Sequence, residues 1–212
     1  MMYLTGCNGP LVRPLLDSRV LGLLNTPKSN YKLQPGWVWA ADNGCFNAKT
    51  YVGDEAWLAW LKKFNAERRE ACLFATAPDV VGDSARSLAR SLPLLPVIRD
   101  LGYPVALVTQ DGMRPDEVPW PEIDWLFIGG TDRHKLGGEA KALIAVAKDH
   151  GKMVHVGRVN SQKRFLAFAA LGTDTVDGTF LAFAPKENLP KLLSWIRHDE
   201  DHATLFSGRF NG

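Results

Sequence analysis

Eight short apolar runs, each closed by a small or polar residue, set the strongest limit on how this chain can fold. They are residues 2–5, 20–24, 37–41, 72–76, 105–109, 125–128, 153–156 and 173–176. Most are nearly continuous in valine, isoleucine, leucine, phenylalanine or tryptophan, which suits strands covered on both faces. Between them lie stretches with helical spacing. Residues 54–69 place Trp57, Trp60, Leu61 and Phe64 on one side, with acidic residues first and Arg68 and Arg69 last. That order agrees with the helix dipole. Residues 137–150 put Ala140, Leu143, Ile144 and Ala147 on one face and stop at Gly151, a natural breaker. Asn160 or Ser161 can cap a helix carrying Phe165, Leu166 and Ala169 that ends at Gly172. Asn188 and Pro190 open a last helix with Leu192, Leu193 and Ile196. Residues 83–101 are helical in pattern, with Pro93 and Pro96 expected to break or kink them. Residues 25–36, which contain Pro27 and Pro35, have no helical period and read as a loop.

Strands alternating with helices imply a parallel sheet, and eight such units suggest a closed (β/α)₈ TIM barrel. An open doubly wound sheet is the competing fold. A length of 212 residues without internal repeat or linker predicts one domain over residues 1–212. A net charge of +2 permits contact with a polyanion but is far from the basic clusters of dedicated nucleic-acid binders. Cys7, Cys45 and Cys72 are widely spaced and odd in number, which argues against a disulfide framework and a structural zinc site. No histidine has metal-ligand spacing to another histidine or a cysteine, so no metal is expected; no cofactor is expected either. The first residues lack the pattern of a secretion signal and no apolar run approaches a membrane span, so a cytoplasmic setting away from membranes is expected.

In a parallel barrel, the loops after the strand C-termini form the active-site face. The residues there are Asn8, Asn25, Asp42 with Asn43, Asp79, Gln110 with Asp111, Gly129 and Gly130 with Asp132, Gly157 with Arg158, and Asp177. Turns favour such residues, so Asp42-Asn43-Gly44 and Asp177-Gly178 read equally well as tight turns. Asp79 can cap the helix near Asp83, Phe46 can be core, and Arg133-His134-Lys135 reads as a solvated loop. Against those readings, two carboxylates facing one pocket are the usual equipment for breaking a glycosidic bond.

Taken in order, the motifs Asp42-Asn43-Gly44-Cys45-Phe46, Ala77-Pro78-Asp79, Thr109-Gln110-Asp111-Gly112, Ile128-Gly129-Gly130 and Val176-Asp177-Gly178 resemble those of the tRNA-guanine (queuine) transglycosylase family. That family is a (β/α)₈ barrel that exchanges guanine in a nucleic acid for a 7-deazaguanine. Asn43 stands where the family has serine, and Cys45 where it has glycine. The zinc-binding Cys-x-Cys-x-x-Cys…His element expected after the barrel is not found. The pattern is more similar to the phage-type DNA transglycosylases, which insert 7-deazaguanines such as preQ0. The resemblance implies Asp177 as nucleophile and Asp42 as proton carrier. It implies Asp79, Gln110, Gly129, Gly130 and Asn43 at the base edges, with Phe46 stacked on the base and His155 opposite. By analogy with retaining glycosidases, the two carboxyl groups should stand roughly 5–5.5 Å apart. Arg133, Lys135, Arg158, Lys163 and Arg164 are candidates for phosphate contacts. The expected partners are a nucleic acid, DNA before tRNA, and a free 7-deazaguanine. The same exchange on tRNA, an N-glycoside hydrolase and an inactive nucleic-acid-binding barrel are the alternatives.

Overall fold

The computed structural model describes residues 1–207, and their side chains through residue 200. Eight strands form it: β1 (Met2–Thr5), β2 (Leu21–Asn25), β3 (Trp39–Ala41), β4 (Cys72–Thr76), β5 (Val105–Thr109), β6 (Trp125–Ile128), β7 (Met153–Val156) and β8 (Thr175–Gly178). Each pairs in parallel with the next, and β8 returns to pair with β1. The sheet is a closed (β/α)₈ barrel, which excludes the open doubly wound alternative.

Ten helices lie between and after the strands: α1 (Arg13–Asp17), α2 (Asp54–Lys62), α3 (Ala66–Glu70), α4 (Ser84–Ser91), α5 (Leu95–Asp100), α6 (Asp132–Leu136), α7 (Gly138–Asp149), α8 (Gln162–Ala169), α9 (Phe180–Phe183) and α10 (Pro185–Ser207). Several differ from the expected spans for local reasons. The helix expected over 54–69 is two helices, because the Asn65 side chain accepts from Arg68 N–H and caps a fresh start. Residues 84–100 break as expected, with a 3₁₀ turn at Leu92–Leu94 between α4 and α5. Ser161 caps α8. The last helix begins at Pro185, not near Asn188, and carries Pro190 inside its early turns. Residues 133–135 belong to the short helix α6, capped by Thr131, rather than to a solvated loop.

Within each strand, alternate side chains separate into two layers, although the composition hid this alternation. Leu4, Ala40, Phe74, Ala106, Val108, Trp125 and Phe127 fill the barrel interior. Tyr3, Leu23, Trp39, Leu107, Leu126, Val154 and Val176 face the helices. Gly22 belongs to the inner layer, where a Cβ would lie 2.5 Å from Leu4 Cδ2, so a larger residue there would have to displace the Leu4 side chain. In the outer layer Trp39 meets Trp60, Phe64 and Tyr103. Its Nε1 donates to Arg68 O at 2.7 Å, and Trp60 Nε1 donates to Asn30 Oδ1 at 2.8 Å. These bonds satisfy the indole donors while each ring adds roughly 2–3 kcal/mol of apolar burial. The same packing ties α2, α3 and the loop after β2 to the barrel.

Strand edges shift from the sequence expectation at β2, β3 and β8. β2 ends on Asn25 and β8 runs to Gly178. Asp177 therefore sits on its strand, inside the barrel mouth, rather than in the loop beyond. Among the described residues no helix is long and apolar enough to cross a membrane. Cys7, Cys45 and Cys72 are free thiols.

Candidate functional site

A small cleft of about 150 Å³ opens at the C-terminal end of the strands. Asp42, Asn43, Phe46, Asp79, Gln110, Gly129, Gly130, Lys135, Arg158 and Asp177 all line it. These are ten of the fourteen site residues expected from the sequence. Leu24, Val81, Val108, Phe127 and Gly157 complete the wall.

Asp177 is the most firmly held acid. Its Oδ1 accepts from Arg158 N–H at 2.8 Å, and its Oδ2 lies 3.0 Å from His155 Nε2. His155 Nδ1 in turn lies 2.8 Å from Thr175 Oγ1. A carboxylate oxygen can only accept, so whenever Asp177 is ionised Nε2 is the donor of that contact. The imidazole has no solvent exposure and is packed by Phe127 and Phe74. His155 is thus beneath the cleft floor, where it orients Asp177. It does not line the cleft opposite Phe46, as the resemblance implied. Neighbouring β7 and β8 explain the contact, since His155 is in register with Thr175 and Asp177 points inward two residues later.

Two further carboxyl groups hold protons more tightly than usual. Burial raises the pKa of Asp42, and the Asp177 charge adds to it, while the Gly44 N–H opposes the rise. Asp79 is pushed up to about 7 by burial and then by the Asp42 charge, against the Gln110 hydrogen bond. That bond runs from Gln110 Nε2 to Asp79 Oδ2 at 2.6 Å, while Gln110 Oε1 accepts from Gly82 N–H at 2.8 Å. One Gln110 N–H is left for another acceptor.

Asn43 and Gly129 serve differently from expectation. Asn43 Nδ2 donates to Ala77 O at 3.1 Å, and its Oδ1 accepts from Cys45 N–H at 2.6 Å. Its backbone N–H donates to Thr76 Oγ1 at 2.9 Å. The residue pins the loop after β3 to β4 and leaves little of its amide for a ligand. Gly129 N–H is already donated to Thr109 O at 3.2 Å. Its contribution is space, because a Cβ would stand 2.7 Å from Thr109 O and 2.8 Å from Val108 Cγ1.

The positive side of the cleft consists of Lys135 and Arg158. Lys135 is buried, donates to Gly157 O at 3.0 Å and pairs with Asp132 at 3.4 Å. Burial lowers its pKa, and the Arg158 charge lowers it further. Arg158, at φ +61°, donates to Gly130 O at 2.7 Å. Its guanidinium carbon stands 4.2 Å from the centre of the Phe46 ring. The other three expected cations are elsewhere. Arg164 pairs with Asp132 at 2.8 Å, Lys163 is exposed on α8, and Arg133 borders a separate hollow with Asp111 and His134. Among the described residues no group of three or more His, Cys, Asp or Glu is placed to hold a metal ion.

No protein-family model and no curated protein matches the chain. Among solved structures, similar folds include the Bacillus subtilis YkuI protein, which has an EAL domain and was crystallised with c-di-GMP and calcium. It is 14% identical at a TM-score of 0.47, with 84% of this chain and 48% of that one covered. A ligand-free tryptophan synthase from M. tuberculosis is also 14% identical at a TM-score of 0.47, with 88% and 64% covered. The chain spans less than two thirds of either protein. The fold assignment rests on the closed sheet itself.

Proposed function

We propose that the protein is a base-exchange transglycosylase that replaces guanine in a nucleic acid, DNA before tRNA, with a 7-deazaguanine such as preQ0. The observation that carries this reading is Asp177, fixed through both carboxylate oxygens in a cleft shared with the proton-holding Asp42 and Asp79. Burial raises the proton affinity of Asp42 and Asp79, which suits a carboxyl group to an acid role.

Asp177 attacks C1′ of the target nucleoside and forms a glycosyl ester as the C1′–N9 bond breaks. Asp42 gives its proton to the departing guanine and later takes one from the incoming base, whose nitrogen attacks C1′ and releases Asp177. Asp79 accepts from the donor edge of the base, and the spare Gln110 N–H serves an acceptor on it. Val108 and Phe127 form apolar walls for the ring faces. Lys135 and Arg158 give the cleft a positive side for the sugar-phosphate. In a duplex the target must first leave the stack, at a cost of a few kcal/mol.

The test is incorporation of radiolabelled guanine or preQ0 into DNA and, in parallel, into tRNA. Incorporation lost in Asp177→Ala supports the reading, and the nucleic acid that takes up label identifies the substrate. Labelled base released from DNA without exchange would mean a hydrolase instead. Binding without either reaction would mean an inactive barrel.

A further inference from the structure

A second hollow adjoins the base cleft across the Phe46 side chain. Asp42, Asn43 and Phe46 line both spaces. The far wall of the second comes from the loop after β2, through Thr26, Pro27 and Lys28, and from Thr50 and Val52 in the loop before α2.

Phe46 is 61% exposed and divides the two spaces with unlike faces. Arg158 lines the first cleft and not the second, and its guanidinium is 4.2 Å from the ring centre. The ring face toward the base cleft is therefore occupied by a cation. The second hollow, which Phe46 also lines, has Pro27 and Val52 as its other apolar residues, with the Thr26 and Thr50 hydroxyl groups, Asn47 and the exposed Lys28 around them.

The β2 loop is built to hold its side of the hollow in place. Asn25 is fully buried, and its Oδ1 accepts from Tyr31 N–H at 2.9 Å and Ser29 Oγ at 3.1 Å. Its Nδ2 donates to Tyr31 O at 3.1 Å. Thr26 N–H donates to Ser29 Oγ at 3.0 Å, and Ser29 N–H donates to Thr26 Oγ1 at 3.1 Å. A loop without helical period is thus cross-linked by five hydrogen bonds directly beside the hollow.

We propose that this hollow holds the nucleobase next to the exchanged guanine, stacked on the open face of Phe46, with Lys28 against its phosphate. A hollow that offers an exposed aromatic ring, two further apolar residues and a cation matches one nucleotide of a single strand, for which aromatic stacking supplies sequence-tolerant affinity. The substrate is then a polynucleotide with its target splayed from its neighbour, and a free nucleoside fills only half the site. This assignment rests on the base-exchange reading for the identity of the ligand. It moves Phe46 from the exchanged base to the base beside it.

The test measures binding without chemistry. Protein carrying Asp177→Asn is titrated by fluorescence anisotropy with a single-stranded DNA oligonucleotide containing one guanine. Two more oligonucleotides are abasic on the 5′ or the 3′ side of that guanine, and the set is repeated in RNA. One of the two abasic positions should weaken binding roughly 5- to 100-fold. Adding Val52→Asp should weaken the intact oligonucleotide and abolish that difference, with binding of free guanine unchanged. Lys28→Ala, an exposed change, should weaken all three strands and lower the slope of affinity against salt by about 1. Equal binding of all three strands, full discrimination in Val52→Asp, or no binding of either nucleic acid would overturn the proposal. Neighbour discrimination without base exchange by the unsubstituted protein would sink only the chemistry. Exchange without discrimination would sink only the assignment of the hollow.

Discussion

His155 Nε2 lies 3.0 Å from Asp177 Oδ2, across the last two strands of the barrel, with Thr175 Oγ1 on the far side of the imidazole. Replacing His155 with phenylalanine keeps a ring between Phe74 and Phe127 but frees one oxygen of Asp177. The expected result is a fall in kcat of roughly 10- to 100-fold with KM nearly unchanged, since a small misplacement of the attacking atom is that costly. His155→Gln, which can retain an N–H donor, should recover part of kcat. Steady-state exchange kinetics check this. Equal losses in both variants, or a change confined to KM, would refute the positioning role.

Asp79 should make stability depend on pH in an unusual direction. Its folded pKa of about 7 lies above the ordinary value of 3.8. Between those values the native state holds more proton than the unfolded chain, so stability falls as pH rises from about 4 to about 7 and then levels. Asp79→Asn removes that slope. Urea unfolding should show the variant gaining on the parent across this window, by a few kcal/mol at most. Parallel curves from pH 4 to pH 8 would contradict the assignment.

Gly129→Ala should destabilise the barrel mouth by about 1–3 kcal/mol, because the added carbon meets backbone and a strand side chain. For a chain of this size each kcal/mol lowers Tm by about 2–4 °C. Gly138→Ala, at the open start of α7, has nothing within 4 Å of the new carbon and should leave Tm unchanged or raise it. Thermal unfolding of the pair is the measurement.

The barrel was legible in the sequence because nearly continuous apolar runs can be read without knowing which side chain points where. The site was legible as a set of motifs with nearby cations, and ten of the fourteen expected site residues do meet in one cleft. What could not be read was parity. Once β8 is placed at 175–178, Asp177 and Thr175 face inward, and His155 joins them from β7. Nothing in Met-Val-His-Val marks that histidine as support for an acid twenty-two residues away. Charges at the rim were equally ambiguous. Arg158 turns into the cleft through a left-handed backbone, whereas Arg164 is drawn aside by Asp132. Asn65 split one helix because a local side-chain bond outcompeted apolar periodicity.

The central claim is that Asp177 carries the sugar. It is tested most directly by denaturing mass spectrometry of the protein mixed with a guanine-containing oligonucleotide and no incoming base. The expected result is a covalent protein–oligonucleotide adduct that has lost guanine, maps to the peptide bearing Asp177, and disappears when preQ0 is added. An adduct mapped to another residue, or exchange that proceeds undiminished in Asp177→Ala, would contradict it.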